Sequence, residues 1–451
     1  MYDYDVIFIG AGHACNHAAT ALTLAGKKVA MVEQDKVGGT CANYGCDAKI
    51  FLDGPFEYNY GLKRYNDLGM KEPPINWNKL MECKREFLQR ILPDAEKGLK
   101  SLGITFIKGH GCLCDAHTVM VGDNKYSAEY IVIGSGARNA KLNIPGKEHT
   151  HGSKDFLDLD EMPNSIVFIG AGIISMEFAC MALDLGKKVT VIEFAPRALT
   201  AYPKKYVEKI VSYMEKQGAK FIFNQGVASV EKIGNEYLVK TANGTEIKAE
   251  YVLDATGRIA NVEDMGLEAL GIECSRRGIK VDNHLRTSVP NIYVSGDAID
   301  KSIPKLTPTA QFESLYIADQ ILGKDTEPIK YPAVPNLVFT LPRIAQVGVC
   351  VDVAEQEKDK YTVVSGGYGI MFEMSNKRET DAEYTYLFDK EGYMVGASIY
   401  SSEAAYLIDF LAIIINQKIR GPELRKMIFA FPNLTWSLFF GLLPIFEQVK
   451  K

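Results

Sequence analysis

A glycine-rich turn between two apolar strands, which occurs twice, is the feature that most constrains the fold of this chain. The first copy, DVIFIGAGHACNHAATALTLAGKKVAMVEQD, spans residues 5–35. It turns at Gly10 and Gly12, continues as an alanine-rich helix and returns as an apolar strand that ends at Glu33. This pattern predicts a βαβ unit in which a pyrophosphate approaches the helix N-terminus and Glu33 binds a ribose. Cys15 stands at the third glycine position, so we expect slightly looser helix–strand packing there.

The second copy, SIVFIGAGIISMEFACMALDLGKKVTVIEF, spans residues 165–194. Gly170 and Gly172 open its turn, and Glu193 follows at the same interval as the acid of the first copy. A bare glycine turn explains one such pattern in an α/β protein, but two copies in register predict two dinucleotide sites. A carboxylate at 193 would repel the 2′-phosphate of NADP and so favours NAD, although the nearby Arg197 keeps NADP open.

Two cysteines lie five residues apart in GGTCANYGCDAKIF, residues 38–51. Zinc sites and thioredoxin-like redox sites usually use a two-residue gap, so Cys41 and Cys46 fit neither pattern. A helix N-terminus lowers the pKa of a thiol, and Lys49 lies on roughly the same helical face as Cys46. Asp47 works against a low thiol pKa. The pair could also be two inert thiols in a loop.

Shorter motifs place glycines and an acid near the ends of predicted strands. YIVIGSGAR (Tyr130–Arg138) and YVLDATGRIAN (Tyr251–Asn261) each end at a small-residue turn. TSVPNIYVSGDAID then delivers Asp297 to the end of a strand, where an acid can bind sugar-like hydroxyls, although a plain turn also explains it.

The composition argues against several classes of function. The 451 residues carry a net charge of −5, so nucleic acid and anionic membranes are not expected partners. Nine scattered cysteines do not make a disulfide scaffold, and MYDYDVIFIG predicts a strand rather than a signal peptide. We therefore expect a cytoplasmic protein whose disulfides are catalytic. Cys112 and Cys114 are interpreted as alternating residues of a strand, and no metal site is expected.

Together, these motifs resemble those of the pyridine nucleotide–disulfide oxidoreductases, the group that contains glutathione reductase and dihydrolipoamide dehydrogenase. The resemblance covers essentially the whole chain and rests on the two glycine turns, GGTCANYGC, ATGR, YVSGDA and LTPTA. It implies an α/β fold with two Rossmann-like dinucleotide-binding domains and a C-terminal α+β dimerisation domain. The implied boundaries are 1–147 and 263–330 for a split FAD domain, 148–262 for the NAD(P)H domain and 331–451 for the interface domain.

The resemblance also implies the cofactors and their ligands. FAD would occupy the first site, and NAD(H), favoured over NADP(H), the second. The residues implied for FAD are Gly10, Gly12, Glu33, Thr40, Lys49 and Asp297, with Gly111, Gly136 and Thr307 as further candidates. The residues implied for the nicotinamide nucleotide are Gly170, Gly172, Ile174, Glu193 and Gly257, with Arg258 beside them.

By the same resemblance, Cys41 and Cys46 form a redox-active disulfide beside the flavin. Cys46 would be the thiol that contacts the flavin, and Cys41 the thiol that attacks the substrate. Lys49 would touch the flavin and pair with Glu177, which makes these four residues the candidate catalytic set.

One part of the family pattern is missing. The family carries a His-Pro near the C-terminus and a glutamate five residues after the His, and this dyad protonates the leaving thiolate. Here MIFAFPNLTWSLFF places Phe431 and Trp436 at those positions, and His284 is the last histidine. An apolar acceptor, an activated disulfide, a metal ion or a quinone would each suit an active site that lacks this dyad. Tyr44, inside the cysteine loop, is a candidate for a substitute acid.

The apolar tail from Ile428 to Phe446 is near bilayer length, but proline residues interrupt it. We interpret the tail as part of a homodimer interface, with membrane attachment as the less favoured alternative. The sequence thus predicts an NADH-dependent flavoprotein that passes electrons through FAD and the Cys41–Cys46 disulfide to an unidentified disulfide or other acceptor. The alternatives are a direct flavin-level reductase of quinones, metals or oxygen, and a non-enzymatic FAD-bound redox sensor.

Overall fold

The computed structural model describes residues 1–449, so the last two positions of the predicted domain 331–451 lie outside it. Within the described chain, three large sheets organise the fold. A seven-stranded, mainly parallel sheet and a four-stranded parallel sheet each carry one glycine turn, and a five-stranded antiparallel sheet follows them. The predicted fold class, two Rossmann-like units and a C-terminal α+β unit, is confirmed. The predicted boundary positions remain predictions.

The first unit is built around strands whose side chains are buried on both faces, as expected for the centre of a parallel sheet. Its parallel part has the order β3-β2-β1-β6, with β4 and β5 continuing it antiparallel beyond β6. The strands are β1 Tyr4–Ile9, β2 Val29–Glu33, β3 Thr105–Lys108, β4 Gly111–Asp115, β5 Thr118–Val121, β6 Asn124–Ile133 and β7 Ala137–Asn139. The helices are α1 His13–Leu24, α2 Gly39–Tyr44, α3 Cys46–Lys63 and α4 Trp77–Ser101.

The second unit repeats the βαβ arrangement, with four parallel strands in the order β10-β9-β8-β14. An antiparallel sheet of β11, β12 and β13 lies between the last two of them in the chain. The strands are β8 Ser165–Ile169, β9 Lys188–Ile192, β10 Lys220–Ile222, β11 Val227–Ile233, β12 Glu236–Thr241, β13 Glu246–Ala249, β14 Tyr251–Asp254 and β15 Arg258–Ala260. The helices are α5 Ser153–Phe156, α6 Ile173–Asp184 and α7 Lys204–Lys216.

The chain then returns to the first sheet, because β18 pairs in parallel with β6. The first sheet therefore takes strands from both sides of the second unit in the chain. This segment contains β16 Cys274–Ser275, β17 Gly278–Ile279, β18 Ile292–Val294 and α8 Thr307–Ile321. Helix α8 packs along α1, where the hydroxyl of Ser314 accepts a hydrogen bond from the backbone N–H of Ala18.

The C-terminal unit is an antiparallel sheet in the order β19-β20-β23-β22-β21, covered by helices. Its strands are β19 Asn336–Val338, β20 Ile344–Gly348, β21 Thr362–Gly367, β22 Glu383–Phe388 and β23 Met394–Tyr400. Its helices are α9 Val351–Gln356, α10 Phe372–Asn376, α11 Ala404–Asn416, α12 Gly421–Leu424 and α13 Leu434–Val449. Across the described chain, none of the helices combines the length and apolar character required to cross a membrane.

Candidate active site

The first glycine turn brings backbone segments into contact that side chains would separate. Gly10 has φ +116°, and a Cβ there would lie 2.4 Å from the carbonyl oxygen of Gly134. Gly12 precedes α1 in an extended conformation. The carboxylate of Glu33 accepts hydrogen bonds from the N–H groups of Ala11 (2.8 Å) and Asp35 (2.7 Å). The turn, the helix N-terminus and the acid therefore lie together, as a dinucleotide site requires.

The cysteine at the third glycine position does not leave a gap in the packing. Cys15 is fully buried, and a Cβ on Gly134 would lie 2.3 Å from its sulfur atom. Gly134 thus supplies the space that a glycine at position 15 would have supplied. The expected looser packing of α1 against the sheet is not observed.

The second turn repeats this geometry. Gly170 has φ +91°, and a Cβ there would lie 2.9 Å from the carbonyl oxygen of Ala255. The carboxylate of Glu193 accepts hydrogen bonds from the N–H groups of Ala171 and Ala195. Gly172 precedes α6 in the same extended conformation as its counterpart in the first turn. Of the other predicted ligands, Ile174 lies half-buried on α6, and Gly257 is exposed after β14.

A cleft of about 750 Å³ starts at the first glycine turn and extends to the cysteine pair. Its size is typical of cofactor sites. Most of the residues predicted for the first cofactor line it: Gly10, Gly12, Glu33, Thr40, Gly111, Gly136, Asp297 and Thr307. Arg258, which was predicted to lie beside the second site, lines this first cleft. Burial raises the pKa of Asp297, and the positive charge of Arg258 opposes that shift. The cleft, its glycine cradle and its acids fit a flavin dinucleotide.

The two cysteines lie at one end of this cleft as free thiols. Cys41 lies on α2, and Cys46 is the first residue of α3. A hydrogen bond from the Cys41 thiol lowers the pKa of Cys46 to about 6, assisted by Thr307 and the charge of Lys49 and opposed by burial. Sharing that proton raises the pKa of Cys41. The thiolate at neutral pH therefore belongs to Cys46, whose sulfur lies 3.6 Å from the hydroxyl of Thr307.

Asp47 opposes a low pKa at Cys46, as its position next to that cysteine predicted. Its negative charge raises the pKa of the neighbouring Cys46 thiol, although the opposing contacts outweigh it. Its own pKa is raised by burial and partly lowered by the charge of His13.

Lys49, which is partly buried, and Glu177, which is fully buried, form an ion pair between the first and second units. The ammonium group of Lys49 lies 3.1 Å and 3.0 Å from the two carboxylate oxygens of Glu177. Burial raises the pKa of Glu177, while Lys49 and the N–H of Phe339 oppose the shift. The Lys49 ammonium also lies 4.1 Å from the centre of the Phe339 ring. The predicted pairing is present, and it fixes the lysine one helical turn after Cys46.

A second ion pair next to this one was not predicted from the sequence. The guanidinium of Arg343, which is 1% exposed, makes hydrogen bonds of 3.1 Å and 2.5 Å to the carboxylate of Asp53 on α3. Glu57 also lies 3.2 Å from Arg343. The helix that carries Cys46 is thereby attached to the C-terminal unit. No sequence pattern connects residues so far apart.

Of the two residues at the family's acid positions, Phe431 is exposed and Trp436 is half-buried. Phe431 is 67% exposed, and its ring packs edge-on against Trp436 at 4.8 Å. Trp436 stacks in turn on Phe440. The hydroxyl of Tyr44, the candidate substitute acid, donates a hydrogen bond of 2.7 Å to Asp35, and burial together with that bond raises the pKa of Tyr44. Tyr44 is therefore not a free acid.

The structure also reveals polar residues that the motifs did not single out. His13 and His17 lie on one face of α1, and His13 lines the cleft together with both cysteines. The only available sequence signal was the position of His13 directly after the second glycine. Cys112 and Cys114 lie on β4, and no group of three or more His, Cys, Asp or Glu residues in the described chain is arranged to hold a metal ion.

Comparison with known proteins assigns this architecture to a family. Residues 4–314 match the family described as pyridine nucleotide-disulphide oxidoreductase, and residues 334–438 match the dimerisation domain of that family. The chain is 31% identical over 383 residues to glutathione reductase, chloroplastic/mitochondrial, of Pisum sativum, covering 82% of this chain and 69% of the relative. It is 30% identical over 448 residues to dihydrolipoyl dehydrogenase of Geobacillus stearothermophilus, covering 95% and 93%.

Two solved structures are also similar. The HOCl-induced flavoprotein disulfide reductase RclA of Escherichia coli superposes with a TM-score of 0.87 at 25% identity, covering 96% of this chain and 98% of RclA. A Cu(II) complex of a cysteine variant of RclA gives a TM-score of 0.88 at 25% identity, covering 98% and 100%. The chain therefore belongs to the pyridine nucleotide-disulphide oxidoreductase family, whose members are FAD-dependent enzymes that use a pyridine nucleotide.

Proposed function

We propose that this enzyme is an NADH-dependent oxidoreductase in which Cys41 and Cys46 pass electrons to a disulfide or another thiol-reactive acceptor. The observation that carries the proposal is the environment of Cys46. Its thiol has a pKa of about 6 and opens onto the cleft that begins at the first glycine turn. A thiolate in that position is suited to redox exchange rather than to a structural role.

Gly10, Gly12 and Glu33 would hold the FAD pyrophosphate and ribose, and Asp297 and Thr307 would contact the cofactor nearer the cysteines. When bound, FAD supplies a two-electron acceptor between the pyridine nucleotide and the cysteine disulfide. The Lys49 ammonium, fixed by Glu177, provides positive charge close to the thiols. That charge stabilises the anionic form of Cys46.

The second turn favours NADH over NADPH. The Glu193 carboxylate, held by the N–H groups of Ala171 and Ala195, would accept a hydrogen bond from the 2′-hydroxyl of the adenosine ribose and would repel a 2′-phosphate. Arg197, the nearest cation in the sequence, does not compensate. Its guanidinium donates to the carbonyl oxygens of Leu199 (3.1 Å) and Tyr202 (3.0 Å) and to the carboxylate of Asp352 (2.7 Å). An arginine bound in this way is not available to a 2′-phosphate.

The names of the relatives and the missing His/Glu dyad both indicate which class of electron acceptor the enzyme would reduce. The relatives are named glutathione reductase, dihydrolipoyl dehydrogenase and disulfide reductase, which supports a disulfide or dithiol as the substrate class. The dimerisation domain supports a homodimer, and the exposed Phe431 and Phe440 would give its substrate channel an apolar wall. We also propose a cytoplasmic location, where thiols are kept reduced. A disulfide whose leaving thiol is acidic would suit this site best, because its leaving thiolate does not have to be protonated by the protein.

A flavin-level reductase of quinones, metals or oxygen is the second candidate, because Phe431 and Trp436 replace the usual acid–base dyad. In that case the flavin would reduce the acceptor directly, and the cysteines would not be required for electron transfer. A redox sensor without turnover is the third. All three possibilities differ in what happens to the thiols during reduction by nucleotide.

Thiol trapping tests the proposal directly. The air-oxidised holoenzyme is treated with NADH under anaerobic conditions, quenched with an alkylating reagent and mapped by mass spectrometry. We expect Cys41 and Cys46 to become alkylated only after NADH is added, and more slowly when NADPH replaces it. The exposed Cys83 and the buried Cys180 are internal controls whose labelling does not change. Labelling of Cys41 and Cys46 that is independent of nucleotide would refute the relay.

A further inference from the structure

A cluster of five charged side chains lies where α3 and α6 face the C-terminal unit: Lys49, Asp53, Glu57, Glu177 and Arg343. The proposed chemistry uses Lys49 and Glu177 and gives no role to the other three. We propose that Arg343 is a positioning residue, which occupies the Asp53 carboxylate and so keeps the charge of Lys49 directed at the active-site thiolate. This inference rests on the proposed function, in which that thiolate, at Cys46, takes part in electron transfer.

Helix α3 places Asp53 next to Lys49. Cys46, Lys49 and Asp53 follow one another at intervals of three and four residues, so they share one face of the helix, with the lysine between the cysteine and the carboxylate. Side chains four residues apart on a helix are neighbours, and opposite charges at that spacing attract each other. Movement of the ammonium group toward Asp53 therefore carries it away from Cys46.

In the structure, the Asp53 carboxylate is occupied by Arg343 instead. The two terminal nitrogens of the guanidinium donate hydrogen bonds of 3.1 Å and 2.5 Å to the two oxygens of the carboxylate, and both side chains are buried. A two-bond contact of this kind fixes the geometry of both partners. The Lys49 ammonium is left to Glu177, whose two oxygens lie 3.1 Å and 3.0 Å away.

Phe339 joins the two ion pairs. The centre of its ring lies 4.1 Å from the Lys49 ammonium and 4.7 Å from the central guanidinium carbon of Arg343. Its backbone N–H donates a hydrogen bond of 2.8 Å to the carboxylate of Glu177. The segment between β19 and β20 thus contacts both cations and also fixes the carboxylate that holds Lys49.

The other titratable groups beside Arg343 do not change this division of partners. Glu57 lies 3.2 Å from the guanidinium, but its side chain is 40% exposed and adds negative charge to the cluster. The thiol of Cys180 on α6 also faces Asp53 and Arg343, but burial raises its pKa, so it is uncharged at neutral pH. Without the guanidinium, the Asp53 carboxylate would therefore compete with Glu177 for the lysine.

The direction of the Lys49 charge matters because the other titratable neighbours of Cys46 do not supply a positive charge. Cys41 lowers the pKa of Cys46 by a hydrogen bond, and Asp47 opposes that shift. His13, on α1, interacts with Asp47. Lys49 contributes the positive charge among the groups that favour the thiolate form. Turning this lysine toward another carboxylate would therefore make the thiolate less stable.

The pH dependence of Cys46 alkylation tests this role. The FAD-loaded enzyme is reduced with dithiothreitol, separated from that reagent under anaerobic conditions and treated with iodoacetamide at a series of pH values. Peptide fragmentation identifies the alkylated cysteine, and the midpoint is the pH at which its alkylation rate reaches half the maximum. In Arg343→Met, we expect the midpoint to rise by about one pH unit, the lower end of the shift that one neighbouring charge produces in a pKa. In Asp53→Ala/Arg343→Met, the competing carboxylate is gone and the midpoint should return to the wild-type value.

Two single variants separate the direction of the charge from a loosening of α3. Asp53→Ala breaks the same ion pair but removes the carboxylate that competes for Lys49, so the midpoint should not rise even though the protein is less stable. Arg64→Met removes an arginine directly after α3, whose guanidinium lies 3.2 Å from the buried carboxylate of Glu379 in the C-terminal unit. That change also loosens the helix from the C-terminal unit, and its midpoint should equal that of the wild type.

An upward shift in either of these two variants would show that a loosened helix raises the midpoint, and it would overturn the proposal. No shift in Arg343→Met, or a shift that persists in the double variant, would overturn it as well. Because dithiothreitol supplies the electrons, the result does not depend on the nucleotide. If NADH fails to reduce the thiols, the proposed function fails, while the midpoint of Arg343→Met still decides the role of the arginine.

Discussion

Replacing Cys46 with Ser is expected to lower NADH-driven disulfide reduction by about 10³-fold or more, the scale of losing a nucleophile. Without the Cys46 sulfur, no Cys41–Cys46 disulfide exists to receive electrons. In the proposed mechanism, the Cys46 thiolate also regenerates that disulfide by attacking Cys41. The contacts that favour its thiolate form, from Cys41, Thr307 and Lys49, serve this step. The loss is measured as kcat/KM for the disulfide under anaerobic conditions.

Two comparisons make this result specific. Cys83→Ser removes an exposed cysteine of α4 and should leave the activity unchanged. Reduction of a quinone by NADH should survive in Cys46→Ser, because it bypasses the thiols. If disulfide reduction also survives, the cysteines are not in the path and the flavin-level alternative is correct.

Removing the carboxylate of Asp53 is expected to destabilise the protein by about 3–5 kcal/mol, the usual effect of leaving one partner of a buried ion pair alone. Arg343 is 1% exposed, and Asp53 is 2% exposed. In Asp53→Ala the guanidinium keeps the more exposed Glu57, at 3.2 Å, as its remaining ion-pair partner among the described residues. The same change loosens α3, the helix that begins at Cys46, from the C-terminal unit. The effect is measured as the shift in the thermal midpoint of the FAD-loaded protein.

The matched control is Asp160→Ala, which removes an exposed partner of Arg85. It should shift the midpoint far less, since exposed ion pairs contribute little to stability. In the double variant Asp53→Ala/Arg343→Met, both charges are gone, and we expect most of the lost stability to return. A single variant as stable as the wild type would show that the pair does not hold α3 in place.

The parts of the site that follow from local sequence were the parts that could be predicted. Glycines with positive φ and the acid at the end of the next strand recur at fixed spacing, because a βαβ turn places them together regardless of the rest of the chain. Glu33 and Glu193 accordingly adopt the same hydrogen-bonding arrangement in both units. The pairing of Lys49 with Glu177 was available only through resemblance to a family, since the two residues are 128 positions apart.

The parts that depend on packing between units could not be predicted. The contact between Cys46 and Thr307 joins residues 261 positions apart, and no periodicity records it. The motif alone predicted looser packing around Cys15. In the fold, Gly134, which lies outside the motif, leaves the space that the Cys15 sulfur occupies. Arg258 follows Gly257 in the sequence, yet it points into the first cleft because β15 pairs with β7.

The central claim is that electrons from NADH reach the Cys41–Cys46 pair, and an anaerobic titration of the holoenzyme with NADH tests it most directly. At two electrons per FAD, we expect a long-wavelength thiolate-to-flavin absorbance while the flavin remains oxidised. Because the pKa of Cys46 is lowered, this band should persist at neutral pH and fade as the pH falls through about 6. Bleaching of the flavin without that band would contradict the account and place the chemistry at the flavin itself.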